Sequence, residues 1–304
     1  MNRRQFVTHV AVGAAVSSVA PTILFAKPKD EHRLTILHTN DWHSRIDPFP
    51  MDGGKFQGQG GAAMRDAMIK KIRAQEEHVL LLDAGDIFQG TPYFNFYHGD
   101  PEITLMNEMG YEASAIGNHD FDGGIDGLAR QADRAKFPLI CANYDFNETP
   151  MQGKTIRYKV FEKGKLRIGV TGLGIELKGL VPDKLYTNTK YNDPVKAMND
   201  AARELKQNEH CDMVICLSHL GYEYKDDKIS DVKLAAASEN VDIIIGGHTH
   251  TFLSKPRIVD NLDRRPVTIV QAGWAGLLLG RLDAACDRSN KRKRVSYATE
   301  KVMK

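Results

Sequence analysis

Cysteine is scarce in this sequence and never spaced as a pair. Cys141, Cys211, Cys216 and Cys286 are the four in 304 residues, and no two form a Cys-x-x-Cys. That usage excludes a disulfide-stapled scaffold and a closed, cysteine-rich structural zinc site. Cys141 and Cys216 sit inside apolar, strand-like runs, where a thiol is expected to be buried and inert. Net charge is also close to absent, with 41 Lys and Arg against 39 Asp and Glu. No broad electrostatic footprint for nucleic acid exists, so no nucleic-acid partner is expected. The one concentrated basic run, Lys291-Arg292-Lys293-Arg294, reads as a solvated turn between two strand-like segments. No Pro- or Ser-rich linker and no fixed-period repeat divides the chain, which predicts a single domain over residues 30–304. Apolar residues at 42% and charged residues at 26% suit a folded domain with a real core.

The first 26 residues differ from the rest. Asn2-Arg3-Arg4-Gln5-Phe6-Val7 precedes a mildly apolar run, Val10 to Ala20, then Pro21 and Leu24-Phe25-Ala26. A basic start, an apolar middle and a small residue before a polar stretch are the parts of an export signal. The paired arginines resemble a twin-arginine signal, whose substrates cross the membrane already folded. Residues 1–26 are thus expected to direct the chain to the periplasm and to be cleaved near Ala26. Val7 to Ala26 approaches the length of a membrane span, so an uncleaved anchor is the alternative. Ser17, Ser18, His9 and Pro21 suit that alternative poorly, and no stable membrane insertion is expected after cleavage. Loss of Arg3 and Arg4 leaves 39 basic against 39 acidic residues.

Beyond the signal, short β-type runs alternate with helix-type runs. Strand candidates are Leu34–His38, Val79–Leu82, Ala113–Ile116, Leu139–Ala142, Leu166–Thr171, Met213–Leu217, Val241–Ile245 and Val267–Gln271. Each is rich in Val, Ile and Leu and nearly continuous in apolarity, the pattern of strands buried on both faces. Helix candidates are Ala62–Gln75, Pro101–Met109, Ile125–Ala135, Pro194–Gln207 and Ser230–Ser238. The alternation predicts an α/β domain with mainly parallel sheets, and Leu277 to Val302 reads as two further strands.

The chemistry-bearing residues stand where apolar strands end. Leu34–His38 runs into Thr39-Asn40-Asp41-Trp42-His43, and Val79–Leu82 into Asp83-Ala84-Gly85-Asp86. Ala113–Ile116 runs into Gly117-Asn118-His119-Asp120-Phe121-Asp122. Met213–Leu217 leads to Ser218-His219, and Val241–Ile245 to Gly246-Gly247-His248-Thr249-His250. Carboxyl ends of strands form the ligand-binding edge of open α/β sheets. Two Asp, one Asn and four His gathered there suit Zn, Mn, Fe, Co or Ni. Asp-x-His and His-x-His would place alternate residues on one side of an extended segment. Each motif alone is weak; five in order, each after a buried strand, are specific. His38, His78, His98 and His210 belong to no ligand pattern and read as polar surface or hydrogen-bonded residues. Gly58, Gly60 and Gly61 lack the Lys-Ser/Thr of a phosphate loop and read as a flexible approach to the site. Trp42 and Trp274 are open to two readings, pocket lining or packing.

The order Asp-x-His, Gly-Asp, Gly-Asn-His-Asp, His, Gly-His-x-His resembles the calcineurin-like metallophosphoesterase superfamily. Leu37-His38-Thr39-Asn40-Asp41, Gly117-Asn118-His119-Asp120-Phe121-Asp122, Gln271-Ala272-Gly273 and Leu279-Gly280-Arg281-Leu282-Asp283 resemble the catalytic domain of bacterial 5′-nucleotidases. The resemblance covers roughly residues 33 to 283. It implies a four-layer αββα sandwich, two β-sheets packed together with helices outside. It implies two divalent metal ions, one on Asp41, His43, Asp86 and His250, the other on Asp86, Asn118, His219 and His248, with Asp86 shared. His119 would stay off the metals and face the substrate, oriented by Asp122. The implied reaction is hydrolysis of phosphate monoesters, nucleoside 5′-monophosphates or related nucleotides, by water activated between the two ions.

Two departures bear on that expectation. Ser44 stands where the family commonly has Gly after the first His. Two-domain nucleotidases also continue into a second domain whose aromatic residues grip the base, whereas this sequence ends at Lys304. Two rival readings follow: a phosphodiesterase on cyclic nucleotides or nucleotide sugars, or a metal-binding subunit needing a separate nucleotide-binding chain. Without that chain the pocket is expected to be open and loosely selective.

Overall fold

The computed structural model describes residues 31–287 and 292–303; the export signal expected at 1–26 lies outside them. Along the chain run β1 (Glu31–Thr39), α1 (Ala62–Gln75), β2 (Val79–Asp83), α2 (Pro92–Tyr97), α3 (Asp100–Met109), β3 (Ala113–Ser114) and α4 (Gly124–Arg134). Next come β4 (Leu139–Ile140), β5 (Tyr144–Asp145), β6 (Thr155–Ile156), β7 (Tyr158–Lys163), β8 (Leu166–Leu173), α5 (Asp183–Tyr186) and β9 (Lys190–Tyr191). The remainder holds α6 (Pro194–Gln207), β10 (Met213–Ser218), α7 (Asp231–Ala236), β11 (Ile243–Gly246), β12 (Arg257–Asp260), β13 (Pro266–Val270), β14 (Leu278–Asp287) and β15 (Arg292–Lys301). Local chemistry sets several ends. Pro194 opens α6 while the Asp193 carboxylate accepts from the Val195 and Lys196 N–H groups. Gly110, at φ 70°, closes α3 in the left-handed conformation.

The strands form two main sheets, ordered β15-β14-β1-β2-β3-β4-β6 and β12-β13-β11-β10-β8-β7. Pairs within β1 to β4 and β6, and within β8, β10, β11 and β13, are parallel; β14, β15, β7 and β12 add antiparallel edges. Period-2 alternation sorts the side chains into three cores. Leu34, Ile36, Leu80 and Leu82 of the first sheet meet Ile168, Val170, Ile215 and Ile245 of the second. Leu37 and Leu81 point the other way, onto Ile69, Ile103, Met106 and Leu128 of α1, α3 and α4. On the far side Val214, Cys216 and Ile244 pack on Met198, Leu205 and Leu234 of α6 and α7. Three apolar interfaces between four layers make the αββα sandwich. All four cysteines are buried and free.

Two expectations fail here. The basic run is no free turn: Arg292 to Arg294 belong to β15, and Lys291 lies outside the described residues. Lys293 pairs with Asp242, just before β11 of the other sheet, at 2.5 Å, and Arg294 with Glu31 at the start of β1, so both are strand residues with exposed, ion-paired side chains. His38 is neither surface nor hydrogen-bonded. It follows Leu34 and Ile36 on the inner face of β1, is fully buried, and neither ring nitrogen has a partner. Gly280 opposes it, and a Cβ there would stand 2.1 Å from His38 Nε2, so glycine makes the room. His78 is half-buried, and His98 and His210 are exposed, as expected.

Burial pushes the His38 pKa down to about 3. The unfolded chain takes up a proton near pH 6.5 that the folded imidazole refuses. The neutral ring's contribution is therefore fully present above pH 6.5 and is lost as pH falls toward about 3. His38→Leu removes this linkage and two unpaired nitrogens. Its denaturation midpoint should fall less steeply than the wild type's across that window; parallel acid limbs would show that His38 contributes nothing to them.

Candidate metal centre

All five motifs converge, and both sheets supply them. The ends of β1, β2 and β3 bring in Asp41, His43, Asp86, Asn118 and His119; the ends of β10 and β11 bring in His219, His248 and His250. Two groups of three could each hold a metal ion: Asp41, His43 and His250, and Asp86, His219 and His248. The ligand atoms within each group lie within 4.8 Å of one another. Asp86 touches both. Its Oδ2 is 3.0 Å from His219 Nε2 and 3.8 Å from His43 Nε2. Asn118 Oδ1 lies 2.8 Å from His248 Nδ1, which places it at the second group.

The ring nitrogens fit a cation. His43 Nε2 and His250 Nε2 face each other at 2.9 Å, and Asp41 Oδ1 is 3.4 Å from the latter. Crowding of lone-pair donors around one point is what a divalent ion relieves. His219 Nδ1 donates to the Ala84 carbonyl at 2.7 Å, which turns Nε2 inward as a buried atom without a hydrogen-bond partner. Burial alone would lower the His219 pKa, but the Asp86 carboxylate outweighs it and lifts it to about 10. The pair thus demands a positive charge between its members, which a metal ion supplies as well as a proton. Burial lowers His43 and takes His248 down to about 4, keeping both imidazoles neutral.

Convergence does not come from extended segments. Asp41, His43, Asp86, His248 and His250 have φ of 51°, 51°, 57°, 69° and 52°. These are left-handed conformations, each costing a non-glycine residue about 1 kcal/mol. The loops turn sharply enough to aim successive side chains at one volume, which alternation along a strand would not do. Ser44 shares this backbone at φ 53°, which explains why glycine suits its position.

Surrounding groups hold the strain. Asp120 is buried and accepts from the N–H groups of Asp86, Ile87 and Gly117 at 3.1, 2.9 and 2.8 Å, tying the β2 and β3 loops together. Asn40 donates to Asp41 Oδ2 at 2.7 Å and to the Gly273 carbonyl, while its Oδ1 accepts from Ala272. Gln271 bonds the Gly247 carbonyl at 2.5 Å. Arg65, fully buried on α1, stacks its guanidinium 4.0 Å over the Trp42 ring between Asp41 and His43. Sequence reasoning assigned no role to Asp120, Asn40 or Arg65; a buried Arg inside a helical apolar stripe was the available signal for the last. Trp42 is packing, whereas half-buried Trp274 stacks on His250.

His119 stands apart from both groups. Its side chain is 39% exposed, and Nδ1 donates to Asp122 Oδ2 at 2.8 Å. That hydrogen bond raises its pKa above the ordinary value. The ring meets His43 edge-on at 5.2 Å, so it borders the centre without entering either group.

A four-layer sandwich with two metal-competent groups meeting at its strand ends defines a class of metal-dependent hydrolase scaffold. The chain belongs to the calcineurin-like phosphoesterase family, whose profile matches residues 34–252. It is 34% identical over 274 residues to a snake venom 5′-nucleotidase of Crotalus adamanteus, covering 84% of this chain and 45% of that protein. It is 35% identical to the human 5′-nucleotidase, covering 84% and 46% respectively. A 5′-nucleotidase precursor from Thermus thermophilus superposes with a TM-score of 0.78 at 32% identity, over 89% of this chain and 55% of that one. The chain spans about half the length of the curated relatives it matches.

Proposed function

We propose that this chain hydrolyses phosphate monoesters, with nucleoside 5′-monophosphates or related nucleotides as the substrate class. The observation that carries the reading is the meeting of two three-residue groups on the single carboxylate of Asp86. The 5′-nucleotidase names of the relatives support the substrate class. Asp41, His43, Asp86 and His250 hold one divalent ion; Asp86, Asn118, His219 and His248 hold the other. Two such ions neutralise phosphoryl oxygens and acidify water, which a reaction as slow as phosphate-ester hydrolysis requires. The protein's own groups position and protonate. Asp122 holds the Nδ1–H of a His119 imidazolium, whose Nε2–H would be given to the leaving oxygen. The purified chain should carry close to two transition-metal ions by elemental analysis. It should gain activity with added Mn, Zn or Co across a panel of monoesters, cyclic nucleotides and nucleotide sugars. No bound metal together with no gain on addition would refute the reading. Turnover confined to diesters would transfer it to the phosphodiesterase.

The chain is further read as one catalytic domain, residues 30–304, exported by the signal at 1–26. Among the described residues no helix is long and apolar enough to cross a membrane. The processed protein should fractionate with the periplasm, beginning near Lys27, and Arg3→Lys with Arg4→Lys should retain it inside the cell. A wholly cytoplasmic wild type would contradict the export.

A further inference from the structure

The edge of the metal centre continues outward in aromatic rings. His250 lies face to face with Trp274, centroids 5.6 Å apart and planes within 5°. Trp274 meets Phe49 edge-on at 5.9 Å, and Phe49 tilts against Phe56 at 5.6 Å. Phe56 lies nearly parallel to Phe252, at 6.3 Å and 16°. Phe252 is two residues beyond His250, so the path leaves the centre and returns to the same loop.

This path is open and rigid at once. Trp274, Phe49 and Phe56 are half-buried, and Phe252 is 45% exposed. The segment carrying Phe49 and Phe56 lacks regular structure but is braced internally. Phe49 N–H donates to the Gln59 carbonyl, Gly58 N–H to that of Phe49 and Gln59 N–H to that of Phe56, at 2.9, 2.9 and 3.0 Å. Gly60 N–H anchors it to the Val302 carbonyl at 2.6 Å. Gly273, at φ 73°, lets Phe252 lie across its turn; a Cβ there would stand 2.4 Å from the ring. The Arg45 guanidinium sits 4.4 Å over Phe49 and the Lys55 ammonium 5.1 Å over Phe56, so two cations border the apolar path. Partly exposed rings held in place before a ligand arrives are suited to stacking, since little ordering entropy remains to be lost.

We infer that Trp274, Phe49, Phe56 and Phe252 form a stacking platform for a planar nucleobase, carried on the nucleoside that leaves, with the phosphate of the ester at the His250 end. The inference rests on the phosphoesterase reading and gives this chain a base contact of its own. Stacking recognises the π-face that every base has, so the platform distinguishes nucleotides from ring-free esters, not one base from another.

The test compares kcat/KM for adenosine 5′-phosphate and ribose 5-phosphate, esters that differ in the base. Wild type is expected to favour the nucleotide about tenfold or more, the scale of a single stacking contact. Phe56→Ala and Phe252→Ala should each bring the ratio toward one, and Phe252→Tyr, which keeps a ring, should preserve it. Adenosine alone should change the fluorescence of Trp274, with saturation, and the alanine variants should weaken that binding about tenfold. A wild-type ratio near one, a ratio unchanged in both alanine variants, or a fluorescence blind to adenosine would each overturn the platform. Turnover of neither ester, with adenosine still saturating Trp274, would overturn the phosphoesterase reading and leave the platform standing.

Discussion

Asp86→Ala is expected to cost both metal ions together and to lower kcat/KM by about a thousandfold or more. Each divalent ion contributes several kcal/mol of charge stabilisation in such a centre, and about 4 kcal/mol corresponds to a thousandfold. Asp41 also reaches across, from His250 Nε2 at 3.4 Å to His219 Nε2 at 3.9 Å, but Asp86 makes the closest carboxylate contact to a ligand imidazole, 3.0 Å to His219 Nε2. Asp86 Oδ2 reaches His219 and His43, while Oδ1 accepts the His119 N–H at 2.8 Å. Burial alone would raise its pKa, but the His219 imidazole holds the carboxyl well below the usual range. The site is therefore built around a charged carboxylate. Asp86→Glu should fail nearly as badly: even a Cβ on Gly117 would stand 2.1 Å from Asp86 Oδ1, so the pocket has no space for a longer side chain. Metal stoichiometry and steady-state rates on variants with wild-type melting behaviour decide the matter. Two ions retained with near-normal turnover would remove Asp86 from its assigned place.

Much of this centre was legible because buried parallel strands and their polar ends look different in sequence. Val79–Leu82 stops being apolar where Asp83-Ala84-Gly85-Asp86 begins, and the break is the edge of the sheet. Helices Ala62–Gln75 and Pro194–Gln207 have the bounds their periodicity predicts. The division into two sheets was not legible from the pattern. Leu80 and Ile215 occupy equivalent inner faces of different sheets, and apolarity does not record which sheet a strand joins; the resemblance to a family supplied that. Nor does sequence show a left-handed φ at Asp41 or His250, because distant positions hold the backbone there: Gly85 and Ala275 bond the Asp41 N–H and carbonyl, and Gln271 bonds Gly247 and Thr251 beside His250. Asp120 sits within a quoted motif, yet its four-residue neighbourhood gives no sign that it bonds the Asp86 loop. The segment Phe49 to Gly60 has no period at all, so its ring contacts were invisible, and glycines taken for flexibility belong to a braced loop. His38 is hidden for a related reason: a lone His reads as polar, and the space that buries it is opened by Gly280, far along the chain.

His119→Ala should keep both metal ions and lose about a hundredfold in kcat on an alkyl phosphate, the lower end of what general acid–base help provides. The ring lies outside both ligand groups, with Nδ1 committed to Asp122 and the side chain 39% exposed. An alkoxide such as the ribose 5′ oxygen is a poor leaving group and needs a proton, whereas p-nitrophenolate leaves unaided. The loss in His119→Ala should therefore be much smaller for p-nitrophenyl phosphate than for a nucleoside 5′-monophosphate. Asp122→Asn supplies the companion result. The hydrogen bond to Asp122 raises the His119 pKa, so an acid at this position stays protonated to higher pH than an ordinary imidazole. Without the carboxylate the folded pKa falls, and the alkaline limb of the kcat profile should move to lower pH. Metal loss in His119→Ala would make His119 a ligand. Equal losses on the two esters would show that His119 stabilises charge on the phosphoryl group and donates no proton.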